Sequence, residues 1–146
     1  MTELSRTARS AIARVGVRTW STATALVALV ATSGSLYLSL GLGLVPCELC
    51  WYQRILMYPL VVVLAVGAIE RRAGVYRTVL PLSALGGAVA AYHSYIQIAP
   101  TSGVCSVGGG CSAVQLRVLG LSIPNLSLVA FVLITLSMAT LLLAER

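Results

Sequence analysis

The sequence contains four long runs without a charged side chain, and these runs limit what the chain can fold into. A helix needs about 20 apolar residues to cross the roughly 30 Å core of a bilayer. The first and fourth runs reach this length unaided, and the third does so before a glycine-rich stretch that begins at Pro100. We therefore predict several membrane-crossing helices. The runs cover residues 19–47, 55–69, 78–116 and 118–144.

The second run is too short to cross the membrane by itself. Its fifteen residues reach only about 22 Å at a rise of about 1.5 Å per residue. To cross, this helix must begin near Cys50 or Trp51, which places Arg54 in its first turns at the membrane boundary. Arg54 is then either an anchor that extends toward water or part of a site.

Composition agrees with a membrane protein, because 58% of the residues are hydrophobic and only 10% are charged, against roughly 25% charged in soluble domains. We predict an all-α integral membrane protein, a four-transmembrane-helix bundle with two outward cysteine-bearing loops. It forms a single membrane domain over residues 1–146. A cleaved signal peptide is not expected, because residues 34–44 contain no clear small-x-small cleavage site. The helices are predicted near 19–41, 51–70, 78–98 and 124–144.

Two further patterns concern packing. Ser83, Gly87 and Ala91 place a small residue at every fourth position of the third helix, a spacing that lets helix backbones approach closely. Residues 112–119 mix apolar with polar side chains. They predict either a short interfacial helix or an extended chain.

All ten positively charged side chains are arginines, and eight of them flank predicted helices, in two clusters and at the last residue. Because arginine concentrates on the cytoplasmic side, both termini and the 71–77 turn are expected inside the cell. The loops at 44–52 and 99–123 then face the extracytoplasmic side of the plasma membrane. The net charge of +6 is explained by topology, so nucleic acid is not an expected partner. The eight are Arg6, Arg9, Arg14, Arg18, Arg71, Arg72, Arg77 and Arg146.

All four cysteines fall in the two outward loops: Cys47 and Cys50 in the first, Cys105 and Cys111 in the second. Two disulfide-competent pairs are typical of an oxidising compartment. A zinc site is the less favoured interpretation, because five residues separate Cys105 from Cys111 whereas zinc sites favour short chelating spacings. Two static disulfides remain an alternative to catalysis.

The first pair lies in the segment PCELCWYQR at 46–54. With Pro46 as the first helical position, Cys47 and Cys50 fall on the opening turn, where free N–H groups and the helix dipole favour a thiolate. Arg54 follows Cys50 by four residues and adds a cation on the same face. Glu48 opposes this effect, so the segment predicts redox cysteines whose thiol pKa is partly lowered.

His93, the single histidine, lies five residues before the outer end of the third helix. By rise per residue it reaches much the same depth as Arg54. A cation and an imidazole at one level, with tyrosines nearby, would suit a flat polar headgroup on a lipid tail. The alternative is that His93 and the tyrosines are ordinary residues of the membrane interface.

Four segments resemble the DsbB/BdbC-type membrane thiol oxidases, and they cover nearly the whole chain in order. They are PCELCWYQRILMYP at 46–59, YHSYIQ at 92–97, VCSVGGGC at 104–111 and IPNLSL at 123–128. The tight spacing of the second pair resembles the BdbC branch more than the long-loop DsbB branch.

The resemblance implies a four-helix protein that reoxidises an extracytoplasmic thioredoxin-fold oxidase of the DsbA/BdbD kind and passes electrons to a membrane quinone of ubiquinone or menaquinone type. By the same resemblance, Cys105 forms the mixed disulfide with the partner and Cys111 is its mate. Cys47 and Cys50 then accept the electrons, with Cys50 beside the quinone. Arg54 would stabilise the thiolate and the quinone oxygen. His93, whose assignment depends on a shorter match, would also bind the cofactor.

We therefore expect a thiol:quinone oxidoreductase that supports disulfide bond formation. One alternative is a non-enzymatic membrane scaffold whose outer loops are fixed by disulfides. Another is a thiol reductase that moves electrons outward, although such conduits usually carry cysteines on the cytoplasmic side or within helices. This chain has no cysteine in either place.

Overall fold

The computed structural model describes residues 3–99, 111 and 114–145, and it is built almost entirely from helices. Four spans in this part of the chain are long and apolar enough to cross a membrane. The predicted all-α membrane bundle is therefore confirmed. The four spans are Val17–Gly41, Glu48–Ile69, Ala73–Ile98 and Ile123–Glu145.

The elements follow one another with short connections where the chain is described. Helix α2 (Val17–Leu36) runs directly into a π-helical segment, and a 3-10 turn leads into helix α4 (Tyr76–Ile98). Two short strands, β1 (Arg117–Val118) and β2 (Leu121–Ser122), form an antiparallel hairpin before helix α5 (Ile123–Glu145). The described part of residues 112–119 is thus extended and not a helix. The elements are α1 Glu3–Val15, α2 Val17–Leu36, the π segment Tyr37–Gly41, α3 Glu48–Ile69, the 3-10 turn Ala73–Val75, α4 Tyr76–Ile98, β1 Arg117–Val118, β2 Leu121–Ser122 and α5 Ile123–Glu145.

Helix α3 begins at Glu48, three residues before the position expected from the sequence. Its 22 residues span about 33 Å, which is enough to cross the membrane. The early start adds about one turn to the short apolar run and keeps Arg54 in the second turn. Pro59 lies inside the helix, which continues to Ile69.

The four crossing helices form a closed ring of neighbours, because α3 contacts α2 and α4, and α5 contacts α4 and α2. Apolar side chains from α3, α4 and α5 fill the centre. Hydrogen bonds also join the helices: the Thr24 and Ser137 hydroxyls are 2.8 Å apart, and Thr135 donates to Ser83 over 2.9 Å. The fully buried residues include Leu60, Leu64, Val79, Phe131, Ile134 and Met138.

The close-packing face of α4 differs from the predicted stripe by one residue. Ser83 is buried as expected, but the next buried small residues are Gly86 and Ala90, and Ala91 is exposed. A helix has 3.6 residues per turn, so a buried face follows steps of three and four in alternation. Gly86 is required for contact with α5, because a Cβ there would lie 2.1 Å from Phe131 Cε1.

Helix α1 was not predicted, and it packs against the C-terminal part of the bundle. It buries Ser5, Ala8 and Ile12, and Arg9 Nε donates to the Ala144 carbonyl at 3.2 Å. Gly16 separates it from α2 with a φ of 83°, in the left-handed region that favours glycine. The helix thus covers the end of the bundle opposite the cysteines.

Candidate functional site

The first cysteine pair sits where the chain enters α3. Cys47 is the N-cap, with extended backbone angles, and Cys50 follows in the first turn. Their sulfur atoms are 3.0 Å apart and share a hydrogen bond, and both residues are partly buried free thiols. The helix start therefore holds the two sulfurs in position to form or break a bond with each other.

The second cysteine pair is represented by Cys111, because Cys105 lies outside the described residues. Cys111 is disulfide-bonded and only 3% exposed. Its sulfur, the sulfur of Cys47 and a ring nitrogen of His93 all lie within 4.8 Å of one another. The bundle thus brings a residue of each cysteine loop into near contact.

These three side chains also have a spacing that could suit a metal ion. Zinc takes cysteine as a deprotonated thiolate. Since the Cys111 sulfur is committed to a disulfide, Cys47 and His93 are the two donors left in this group. The arrangement fits sulfur exchange better than metal binding.

His93 is buried between α3 and the second cysteine loop, with 2% of its surface exposed. Its Nε2 lies 3.1 Å from the Cys111 carbonyl oxygen and 3.7 Å from Cys47 Sγ, and its Nδ1 lies 3.0 Å from Gln53 Nε2. A carbonyl oxygen only accepts, so Nε2 carries the hydrogen and Nδ1 accepts from Gln53. The imidazole therefore directs an N–H group at the place where Cys47 and Cys111 meet.

Hydrogen bonds make Cys47 acidic. The bond with the Cys50 thiol is the main cause that lowers the pKa of Cys47, to about 4, and the bond with His93 acts in the same direction. Partial burial of Cys47 opposes both bonds. The lowered pKa favours the thiolate of Cys47, the form that attacks disulfides and leaves them readily.

A cavity of about 570 Å³ lies between α2, α3 and α5 on the other side of the first pair. Most of its polar groups lie toward the cysteines, Thr32 and Tyr58 lie deeper, and the remaining wall is mainly apolar. Leu26, Val30, Val129 and Leu133 line the far part and are about half exposed or more. In a membrane this part would open to lipid. The polar lining includes Ser35, Ser39, Cys50, Gln53, Arg54 and Gln115.

Arg54 is held at the cavity by the end of the first crossing helix. Its Nε donates to Ser35 Oγ at 2.8 Å, and its Nη2 donates to the Ser35 carbonyl at 2.8 Å and to the Ser39 hydroxyl. The guanidinium also lies 5.5 Å from the centre of the Trp51 ring. These contacts fix the side chain and leave its charge next to Cys50.

A second and much smaller void, of about 20 Å³, lies at the junction of the two loops. It is lined by Cys47, Cys50, His93 and Cys111 among others. A void of this size with polar groups in its lining can hold about one water molecule. Cys50 borders both this void and the large cavity, whereas Cys47 borders only the void.

The structure thus divides the residues predicted for the site into two groups. Arg54 and Cys50 face the large cavity, and His93 joins Cys47 and Cys111 on the opposite side. His93 does not line the large cavity, although it was expected beside the same headgroup as Arg54. Gln53, Ser35 and Ser39 were not predicted as site residues. A glutamine beside Arg54 in an apolar helix, and two serines four residues apart, were the available signals.

Comparison with known proteins identifies the family. The family model "DsbB: Disulfide bond formation protein DsbB" matches residues 17–141. Disulfide bond formation protein C of Bacillus subtilis (strain 168) is 42% identical over 120 residues, 80% of this chain and 87% of that protein.

More distant relatives have similar names. A probable disulfide formation protein C 2 of Bacillus anthracis is 41% identical over 111 residues, which cover 72% of this chain and 79% of that protein. A probable disulfide formation protein of Metapseudomonas resinovorans is 35% identical over 114 residues, 75% of this chain and 79% of that protein. No solved structure matches the chain at a significant level. With the matched region covering most of its length, the chain belongs to the DsbB family of disulfide bond formation proteins.

Proposed function

We propose that this protein is a membrane thiol:quinone oxidoreductase that reoxidises an extracytoplasmic thioredoxin-fold oxidase of the DsbA/BdbD kind. Its family gives it a role in disulfide bond formation. The observation that carries the finer proposal is the placement of the first pair between two chemical environments. Cys47 faces Cys111, and Cys50 faces the cavity that Arg54 lines.

The proposed path of electrons begins at the second pair. A thiolate of the reduced partner attacks Cys105, and completion of that exchange oxidises the partner and leaves Cys105 and Cys111 as thiols. The Cys111 thiolate then attacks Cys47 of a Cys47–Cys50 disulfide, and the electron pair of the broken bond moves to Cys50. Attack by Cys105 on Cys111 restores the second disulfide and releases Cys47 as a thiolate.

The acidity of Cys47 favours this last step. A thiol of low pKa leaves a mixed disulfide faster than one of ordinary pKa. The bonds from Cys50 and His93 that lower the Cys47 pKa therefore favour release of Cys47. The result is a reduced first pair with one sulfur already at the large cavity.

The residues around that cavity fit a quinone. A volume of about 570 Å³ falls in the range of about 300–1,000 Å³ that is usual for small-molecule sites. Polar groups at one end suit the ring oxygens, and the apolar wall suits an isoprenoid tail. When bound, a quinone would take up two electrons from the reduced pair, one proton from the Cys50 thiol and one proton from water, and leave Cys47 and Cys50 as a disulfide. Arg54 would stabilise negative charge there.

We assign His93 to sulfur exchange and not to the quinone. Its Nε2–H lies 3.7 Å from Cys47 Sγ and can stabilise the thiolate that leaves. Gln53 fixes the ring through Nδ1, as second-layer partners of catalytic histidines do. The small void beside it would let one water carry a proton to or from the junction.

The orientation in the membrane is part of the proposal. Seven described arginines flank helices at the end of the bundle that holds α1, the 70–75 turn and the end of α5, which supports a cytoplasmic position for that end. The cysteine loops would then face the extracytoplasmic side, where the partner is found. The seven are Arg6, Arg9, Arg14, Arg18, Arg71, Arg72 and Arg77.

Turnover by the purified protein tests the proposal. The protein in lipid nanodiscs, given a benzoquinone with a decyl tail, should oxidise a reduced thioredoxin-fold dithiol protein with one quinone consumed per disulfide formed. Cys50→Ser and Cys105→Ser should each abolish turnover. Full activity in either variant would show that the relay is wrong.

Thiol trapping in cells separates this function from the two alternatives. An oxidase in turnover should show a fraction of reduced Cys47 and Cys50 and a mixed disulfide with a partner. A scaffold would stay fully oxidised. A reductase would deliver electrons to extracytoplasmic disulfides, so its loss would leave other proteins more oxidised instead of less.

A further inference from the structure

Arg54 is partly buried, and none of its contacts in the described structure is with a carboxylate. The ion pairs in the described part of the chain join Arg6 to Glu3 and Arg72 to Glu70. The full sequence has four carboxylate side chains, at positions 3, 48, 70 and 145, and none of them contacts Arg54 in the described structure. A partly buried arginine normally finds a carboxylate, since bidentate pairing is its strongest interaction. Here every hydrogen-bond acceptor found for it is uncharged.

The acceptors come from a distorted part of the first crossing helix. Ser35 lies in the last turn of α2, and Ser39 lies in the π-helical segment Tyr37–Gly41. The Ser39 hydroxyl donates to the Ser35 carbonyl at 3.1 Å, so the two serines form one connected unit under the guanidinium. Short π-helical segments within α-helices are frequent at functional sites.

We propose that Ser35 and Ser39 are positioning residues that hold Arg54 through uncharged acceptors, so that its full positive charge acts on the Cys47–Cys50 pair and on the electron acceptor. The inference rests on the proposed function, since it assigns the charge to that reaction. A carboxylate in place of either hydroxyl would hold the guanidinium as well or better. It would also cancel the charge.

The physical reason lies in how a fixed charge assists electron transfer from sulfur. Reduction of the first pair creates negative charge shared by Cys47 and Cys50. Transfer of these electrons to the acceptor then creates negative charge in the cavity. A cation that is already oriented stabilises both without rearrangement. Trp51 on the other face leaves the charge in place, because a ring supplies only a quadrupole.

Substitutions at Ser39 distinguish the hydrogen bond that holds the Arg54 guanidinium from the effect of neutralising its charge. Ser39→Asn keeps an uncharged acceptor, and Ser39→Asp is close to it in size and adds a negative charge. Ser39→Ala removes the acceptor. Ser33→Ala is the matched control, because Ser33 is an exposed serine of the same helix that does not line the cavity.

The first measurement uses no quinone. Each variant is equilibrated with mixtures of reduced and oxidised glutathione, its thiols are alkylated, and the oxidised fraction of the peptide containing Cys47 and Cys50 is determined by mass spectrometry. Ser39→Asp should shift the equilibrium about tenfold toward the disulfide, because a neutralised Arg54 no longer stabilises the reduced pair. Ser39→Asn and Ser33→Ala should stay within about twofold of wild type.

The second measurement is turnover with the decyl benzoquinone. Ser39→Asp should lower kcat about a hundredfold with a smaller change in KM, since the lost charge acts mainly as the acceptor becomes negative. Ser39→Ala should lose about tenfold, as expected for one hydrogen bond to a charged group. Ser39→Asn should lose no more than Ser39→Ala, and Ser33→Ala should match the wild type.

Two results would overturn the inference. One is a Ser39→Asp protein that matches wild type in both measurements. The other is equal impairment of Ser39→Asp and Ser39→Asn, which would show that the size of the side chain matters and its charge does not. Failure of the wild type to reduce quinone would instead refute the proposed function, and the glutathione equilibrium would still decide the role of the two serines.

Discussion

The acidity of Cys47 can be tested by removing its main cause. The Cys50 thiol makes the largest contribution to the low pKa of Cys47, which is about 4. Cys50→Ala deletes this hydrogen-bond donor, and Cys50→Ser keeps a donor at the same place. Both variants leave Cys47 unable to form a disulfide with its neighbour, so the two differ mainly in the hydrogen bond.

The size of the effect follows from the causes of the shift. The Cys47 pKa of about 4 lies far below the ordinary thiol value of about 8.5. The bond with His93 remains in Cys50→Ala, and burial of Cys47 acts against it. We therefore expect the Cys47 titration midpoint to rise by about two pH units or more in Cys50→Ala. The midpoint in Cys50→Ser should stay near that of the wild type.

The assay is alkylation of Cys47 by iodoacetamide between about pH 3 and pH 10, with modification followed by mass spectrometry. The midpoint is the quantity to compare, because a thiolate of higher pKa is also a stronger nucleophile, with a Brønsted coefficient of about 0.4–0.5. At a pH below the midpoints, that effect offsets roughly half of the lost thiolate on a logarithmic scale, so rates compared at a single pH understate the change in pKa. Equal midpoints in Cys50→Ala and Cys50→Ser would refute the assignment of the Cys50 hydrogen bond as the main cause.

Two other predictions concern the bundle and the exchange junction. Gly86→Ala should lower the free energy of unfolding by about 1–3 kcal/mol, as overpacking does, because its Cβ would lie 2.1 Å from the Phe131 ring. Gly87→Ala is the control, because its Cβ makes an ordinary 3.6 Å contact with Phe131. Thermal denaturation in detergent compares the two variants, and equal midpoints would contradict the packing described for Gly86. His93→Phe should slow electron transfer from the second pair to the first about tenfold, because the departing Cys47 thiolate loses a hydrogen-bond donor. Stopped-flow mixing with reduced partner measures that step, and an unchanged rate with reduced quinone affinity would place His93 at the quinone instead.

The crossing helices were predictable because bilayer thickness sets a minimum length for an apolar run. Rise per residue likewise predicted that Arg54 and His93 lie at one level, and Gln53, next to Arg54 in sequence, does contact His93. The direction in which each side chain points depends on which helices are neighbours. For that reason the sequence did not separate His93, beside Cys111, from Arg54, beside the cavity.

Other features depend on contacts that no local pattern encodes. Helix α1 is short, rich in arginine and stabilised by packing on α5, so a search for apolar runs passes over it. The π-helical segment places Ser35 and Ser39 under Arg54, and nothing in its sequence, YLSLG, departs from an ordinary helix. Helix α3 begins at Glu48 with Cys47 as its N-cap, two residues after the Pro46 start and two or three before the Cys50 or Trp51 start considered from the sequence.

Disulfide trapping between Cys47 and Cys111 tests the central claim most directly. In the double variant Cys50→Ala/Cys105→Ala these two cysteines remain, and in the wild-type structure their sulfurs lie within 4.8 Å of each other. Under a mild oxidant in nanodiscs, peptide mapping should show rapid and nearly complete formation of the Cys47–Cys111 disulfide within single chains. Two thiols that stay reduced, or that link only between different chains, would contradict the proposed route of electrons.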